Sequence, residues 1–163
     1  MGSPGNDQVA AGTVVVGLDW SGGARSAVEY ALREGARRGV GVDVVTVYEP
    51  LEAWSWAFVG VDTTDFAADD ASAARAAHEM VNEVRTSVQD ELGTSLPSTT
   101  IHVRHGRPAE VLVDAARDAE VLVVGHRGRG AVASTVLGSV GLYAVQHASC
   151  PVTVVRPRAD GRG

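Results

Sequence analysis

The chain contains no lysine, so the 14 positively charged residues of its sequence are all arginines. That absence excludes the lysine-dependent phosphate loop GxxxxGK[ST]: any phosphate charge must be met by backbone N–H groups, hydroxyls, arginine or a bound cation. Cysteine is nearly as scarce. Cys150 stands alone, which rules out an intrachain disulfide and suits a reducing compartment, with the cytoplasm as the expected location. Without a basic partner beside it in sequence, Cys150 reads as a buried packing residue and not as a nucleophile. Apolar runs are no longer than a strand, so no transmembrane span is expected. Residues 1–12 have neither a basic nor an apolar leader region, so no signal peptide is expected. Aromatic residues make up 5% of the chain. Trp54, Trp56 and Phe58 sit at alternate positions within 50–69, the one long connection with no clear element, as either a lid or partner-facing patch or a satellite cluster packing the loop onto the sheet.

Acidic residues are also missing locally. The formal net charge is −6, yet no Asp or Glu occurs from Val121 to Ala159, where Arg127, Arg129, Arg156 and Arg158 lie. The overall charge argues against nonspecific nucleic-acid binding, while the local excess suits an anion or an ordinary solvated surface. The five histidines show neither metal-ligand spacing nor a catalytic triad. His102 lies within a strand, His78 and His147 on helices, and His105 and His126 after strand ends, where they either reach a pocket rim or serve as caps. Catalysis beyond slow ATP hydrolysis has no visible apparatus.

What is present is an alternation. VVVGL at 14–18, VDVVTVY at 42–48, TIHVRH at 100–105, VLVV at 121–124 and VTVV at 152–155 are short β-branched runs of the kind buried on both faces of a parallel sheet. Helical periodicity lies between them. It runs through Ala24, Ala27, Val28, Ala31, Leu32 and Gly35, then Ala77, Met80, Val81, Val84 and Val88. A third helix begins near Pro108 and carries Val111, Leu112 and Ala115 inward, and a fourth shows Leu137, Val140, Gly141, Ala144, Val145 and Ala148. The pattern predicts an α/β fold: a single-domain open parallel sheet of five strands flanked by helices, with right-handed crossovers. A chain of 163 residues is enough for one core, burying roughly 68–70% of its unfolded surface. The domain is expected over 13–157, between flexible tails at 1–12 and 158–163. Such a sheet binds ligands at the carboxyl ends of its strands, here near a switch point between the first and fourth, where Asp19 and Gly125 fall.

The sharpest signal follows the fourth strand. Val124-Gly125-His126-Arg127-Gly128 precedes Gly138-Ser139-Val140 with the spacing G-x-x-G-x9-G-S, and an apolar helical pattern comes next. Glycines let backbone N–H groups approach an anion without Cβ interference, and a helix opening at Gly-Ser aims its unpaired N–H groups and positive dipole end at the same point. The fingerprint GxGxxG is absent after the first strand, which weakens a dinucleotide reading.

These residues resemble the universal stress protein family, in particular its nucleotide-binding branch. Thr13 to Asp19 is similar to that family's first strand, Asp19-Trp20-Ser21 to its Asp-Gly-Ser, Gly106-Arg107-Pro108-Ala109 to the turn into its third helix, and Cys150 to Val155 to its last strand. The resemblance implies a Rossmann-like, adenine nucleotide-binding fold from about Val14 to Pro157. It implies ATP with Mg as ligand, or AMP or cyclic AMP. The adenine would lie against main-chain groups at Val47, and the sugar and phosphates near Gly17, Leu18 and Asp19. The phosphates would lie on Val124, Gly125, Arg127, Gly128, Gly138, Ser139 and Val140. Asp19 either accepts from the ribose, holds a metal through water, or caps the first helix with Ser21. Resemblance also implies a homodimer paired through Val152 to Val155, with neither nucleic acid nor membrane as partner. Three departures stand out: Gly141 where the family often has a second hydroxyl residue, Trp20 where it has glycine, and His126 where serine is frequent. The implied role is a nucleotide-responsive stress or regulatory protein. The alternatives are a module for protein interaction that binds no nucleotide, and a slow ATPase or other enzyme using adenine nucleotides.

Overall fold

The computed structural model describes residues 9–21, 23–48, 65–126 and 137–157, with the side chains of the third segment described from residue 71. Five strands and four helices alternate: β1 (Val14–Leu18), α1 (Ala24–Arg38), β2 (Val42–Tyr48), α2 (Asp65–Leu92), β3 (Thr99–His105), α3 (Pro108–Ala115), β4 (Val121–Gly125), α4 (Ser139–His147) and β5 (Val152–Val155). All pairings are parallel, in the order β3-β2-β1-β4-β5. The expected α/β architecture is therefore present, with β1 central and the switch point between β1 and β4.

The β-branched runs become strands because both faces of the sheet are covered. Alternate residues Val14, Val16 and Leu18 of β1 face the core built on α1 and α2, which buries Ala27, Val28, Leu32, Val81 and Val88. Val15 faces the opposite core with Val45, Leu112, Leu122, Val124 and Ala144, under α3 and α4. Each fully buried Val or Leu contributes about 1.5–3 kcal/mol, so the two faces supply most of the driving force. Helix α1 stops at Gly39, which takes φ 70° and donates its N–H back to carbonyls of the last turn. Pro108 opens α3 as its composition predicts. Helix α2 runs for 28 residues, well beyond the segment that apolar periodicity marks, and its early turns are Ala- and Asp-rich.

Ion pairs between Arg25 and Glu83 (3.0 Å) and between Arg33 and Glu91 tie α1 to α2. Val9 packs against the α3/α4 core, and Gly12 donates its N–H to the Asp118 carbonyl at 2.8 Å. No helix among the described residues is long and apolar enough to cross a membrane. The Trp54, Trp56 and Phe58 cluster lies outside the described residues.

Candidate functional site

The carboxyl ends of β2, β1 and β4 lie side by side. Leu18 of β1 pairs with Thr46 of β2, and Val16 pairs with Val123 of β4. Carried three residues past Val16, the same registers set Asp19 between Val47 and His126. Gly17 and Leu18 complete β1 beneath Asp19, and Val124 and Gly125 complete β4 beneath His126. The fold thus brings together sequence positions that lie far apart, and Gly17 shows how tightly: a Cβ there would stand 2.8 Å from Cδ1 of Leu112 on α3.

Helix α4 closes the arrangement. Its N-cap is Gly138, whose extended backbone (φ −67°, ψ 158°) offers no side chain to cap the helix. Gly138 donates its N–H to the His126 carbonyl at 3.0 Å, and Leu142 donates to the Gly138 carbonyl at 2.9 Å. The first turn, holding Ser139 and Val140, is pinned to the exit of β4 without a side-chain cap, the condition under which a helix N-terminus attracts an anion. Arg127 and Gly128, between these two segments, lie outside the described residues.

Asp19 does not cap α1. Its Oδ1 accepts the Ser21 N–H at 3.0 Å, making a local turn, and the helix N-cap is Gly23 with no side-chain bond. Trp20, between them, is the one non-glycine with positive φ among the described residues, at 61°. This left-handed backbone is the conformation that the glycine of an Asp-Gly-Ser turn adopts freely and that costs a side chain about 1–2 kcal/mol. The indole packs against the α1/α2 core, which offsets that cost. Gly141, where a second hydroxyl was missed, has a local explanation: a Cβ there would stand 2.9 Å from Cδ1 of Leu137, so the Leu137 side chain occupies the space.

Two side-chain atoms at these strand exits are buried without a hydrogen-bond partner: Ser21 Oγ and His126 Nε2. A buried polar atom left unpaired costs about 1–3 kcal/mol, a cost that persists when the group meets a ligand or ordered water. Orphaned donors, glycines that exclude Cβ and an uncapped helix N-terminus together fit an anionic ligand. No group of three His, Cys, Asp or Glu side chains able to hold a metal occurs among the described residues.

Sequence reading missed a second polar feature. Asp43 of β2 and His102 of β3 form a buried pair at 2.7 Å, with the Thr13 hydroxyl donating to the other carboxylate oxygen at 2.7 Å. Burial pushes the Asp43 carboxyl upward, but bonds from His102, Thr13 and the Ala10 backbone N–H outweigh it and hold the group below the usual carboxylate range. An Asp inside a Val-rich strand and a His inside its neighbour were the available signal. Cys150 is half-buried on the α3/α4 core, and burial raises its thiol, as expected of a packing residue.

An open parallel sheet of this order, with a pocket-forming switch point and a glycine-opened helix, defines a doubly wound α/β protein of the ligand-binding kind. The chain belongs to the universal stress protein family, whose model matches residues 11–156. It is 36% identical over 143 residues to universal stress protein Rv2623 of Mycobacterium tuberculosis, covering 88% of this chain and 44% of that protein. It is 30% identical over 149 residues to Rv1996 of the same species, covering 87% and 47%. The chain thus spans about half the length of the curated relatives it matches. Among solved structures, universal stress protein UspA of Lactobacillus plantarum aligns with TM-score 0.70 at 22% identity over 90% of this chain and 99% of that one. A universal stress protein in complex with cAMP aligns with TM-score 0.59 at 25% identity, over 90% and 98%. One from Archaeoglobus fulgidus in complex with dAMP aligns with TM-score 0.53 at 22% identity, over 90% and 98%.

Proposed function

We propose that this protein binds an adenine nucleotide at the carboxyl ends of β1, β2 and β4 and acts as a nucleotide-responsive regulator, with hydrolysis slow or absent. The observation that carries the reading is the uncapped start of α4, fixed to the exit of β4 by Gly138 and His126 and adjacent to the end of β1. Complexes of related folds with cAMP and dAMP support an adenine ligand. Main-chain groups at Val47 read the base edge. Gly17, Leu18 and Asp19 approach the sugar, and Val124, Gly125, Arg127, Gly128, Gly138, Ser139 and Val140 surround the phosphates. ATP is the proposed ligand, with AMP and cyclic AMP as competitors. Mg, held by the phosphates and through water by Asp19, would neutralise charge that the lysine-free chain leaves uncompensated.

We further propose a cytoplasmic homodimer paired through β5. All four residues of that strand remain partly exposed. Hydrogen bonds from Leu122 N to Pro151 O and from His126 N to Val155 O show that odd-numbered residues face β4. In a parallel ladder the alternate residues Val152 and Val154 then turn their N–H and C=O groups to the free edge, which a second copy can pair.

Calorimetry with Mg-ATP on the parent and Gly128→Val tests the nucleotide reading. Binding in the parent and its loss in a folded variant are expected, while equal affinities would overturn the phosphate site. Absence of binding in the parent, with no nucleotide released on denaturing the purified protein, would favour an interaction module. The crowded position of Gly141 against Leu137 is the observation on that side.

A further inference from the structure

We propose that Ser21 and His126 contact the bound nucleotide directly, and that the His126 imidazole supplies the phosphate with the side-chain donor that a lysine-free chain otherwise lacks. The proposal rests on the nucleotide reading and extends it to two residues outside the expected site. Ser21 Oγ and His126 Nε2 are both buried without a hydrogen-bond partner. They belong to the exits of β1 and β4, neighbouring central strands of the sheet.

Their backbones are already fixed. His126 donates its N–H to the Val155 carbonyl at 2.7 Å and accepts from Gly138 N at 3.0 Å. Ser21 donates its N–H to Asp19 Oδ1 at 3.0 Å and accepts from Ala24 N at 3.0 Å. Ser21 Oγ also lies near the end of β5: a Cβ on Gly23 would stand 3.9 Å from it and 3.6 Å from Pro157 Cγ. The polar side chains are thus held in place by main-chain bonds while their own hydrogen-bonding atoms have nothing to bond. That is a preorganised condition: a ligand oxygen arriving at the α4 N-terminus gains two donors whose positioning is complete before it binds. Chemistry selects the ligand group. An imidazole N–H and a serine O–H both donate, and a phosphoryl oxygen accepts from both with a charge-assisted bond. A purely apolar or cationic ligand would leave the orphaned donors unsatisfied.

Calorimetry with Mg-ATP and with AMP on the parent, His126→Ala, His126→Gln and Ser21→Ala, together with 15N spectra of the parent's imidazoles, tests this. His126→Ala is expected to weaken binding about tenfold or more and Ser21→Ala about threefold or more. His126→Gln, which keeps a donor near the Nε2 position, restores most of the loss, and the His126 Nε2 resonance moves on saturation with ATP. Parent-like affinity in a folded His126→Ala, or an unmoved resonance in the ATP-saturated parent, would overturn the contact and leave the nucleotide reading standing. No binding by the parent would overturn both. Should His126→Ala fail to fold, the parent's resonance and His126→Gln still decide.

Discussion

His102 Nε2 lies 2.7 Å from Asp43 Oδ1, although 59 residues separate them and both side chains are almost wholly enclosed. The contact crosses from β3 to β2, and Thr13 extends it to the entry of β1. Three adjacent strands are thereby joined by side chains as well as by their ladder.

Because the Asp43 carboxyl is held low in the folded protein, its contribution to stability is fully present above the ordinary carboxylate range and is lost as pH falls through the depressed value. Asp43→Asn is expected to cost at least about 2 kcal/mol near neutral pH. It should also flatten the acid limb of the stability curve. Urea denaturation from pH 7 down to pH 3 measures both, and a variant with the parent's acid profile would show that another carboxylate governs it.

Trp20 offers a way to separate backbone strain from packing. Its φ of 61° penalises any side chain and leaves glycine untouched, whereas its indole contributes burial. Both Trp20→Ala and Trp20→Gly lose the indole, so the glycine variant should be the more stable of the two by about 1 kcal/mol. If the alanine variant proves the more stable in urea, the left-handed turn is not held in solution.

Val154→Pro probes the free edge of β5 alone, since proline removes an N–H that faces away from β4. Sedimentation of the parent as a dimer at micromolar concentration and of the variant as a folded monomer is expected. Thr153→Pro, which strikes the β4 ladder, should instead lower thermal stability. A dimeric Val154→Pro would place the interface elsewhere.

Ser139→Ala tests the first turn of α4 more gently than a glycine substitution. The loss of its hydroxyl should reduce Mg-ATP affinity by about 1–3 kcal/mol with no change in melting temperature. An unchanged affinity would assign the contact to backbone N–H groups.

Gly35 marks the closest approach of α1 to the sheet: a Cβ there would stand 2.6 Å from Cγ2 of Val42 and 3.1 Å from the Val40 carbonyl. Gly35→Ala should raise helix propensity and still destabilise by about 1–3 kcal/mol, because the neighbours are buried and the backbone cannot retreat. Chemical denaturation giving a neutral or stabilising change would mean that α1 shifts outward freely.

The sequence by itself determined the element types and their order. Val-rich runs such as Val42–Tyr48 fit only strands covered on both faces, Ala27, Val28, Ala31 and Leu32 mark one stripe of a helix, and a crossover of helix length demands parallel pairing. It also determined the glycine and serine pattern at 125–139, because glycine where Cβ must be absent is a local property of the chain. Tertiary structure decided which atoms are left without partners and which distant residues meet. His126 gave no local sign that its Nε2 would be enclosed and unpaired, and Asp43 and His102 each read as an anomaly inside a strand until the β2–β3 register set them on one face. Trp20 was legible as a bulky residue in a glycine position, but the direction of its indole follows from the packing of α1 and α2. Local pattern constrains backbone conformation through sterics acting over a few residues, whereas burial, hydrogen-bond satisfaction and shifted ionisation depend on surroundings assembled from the whole chain.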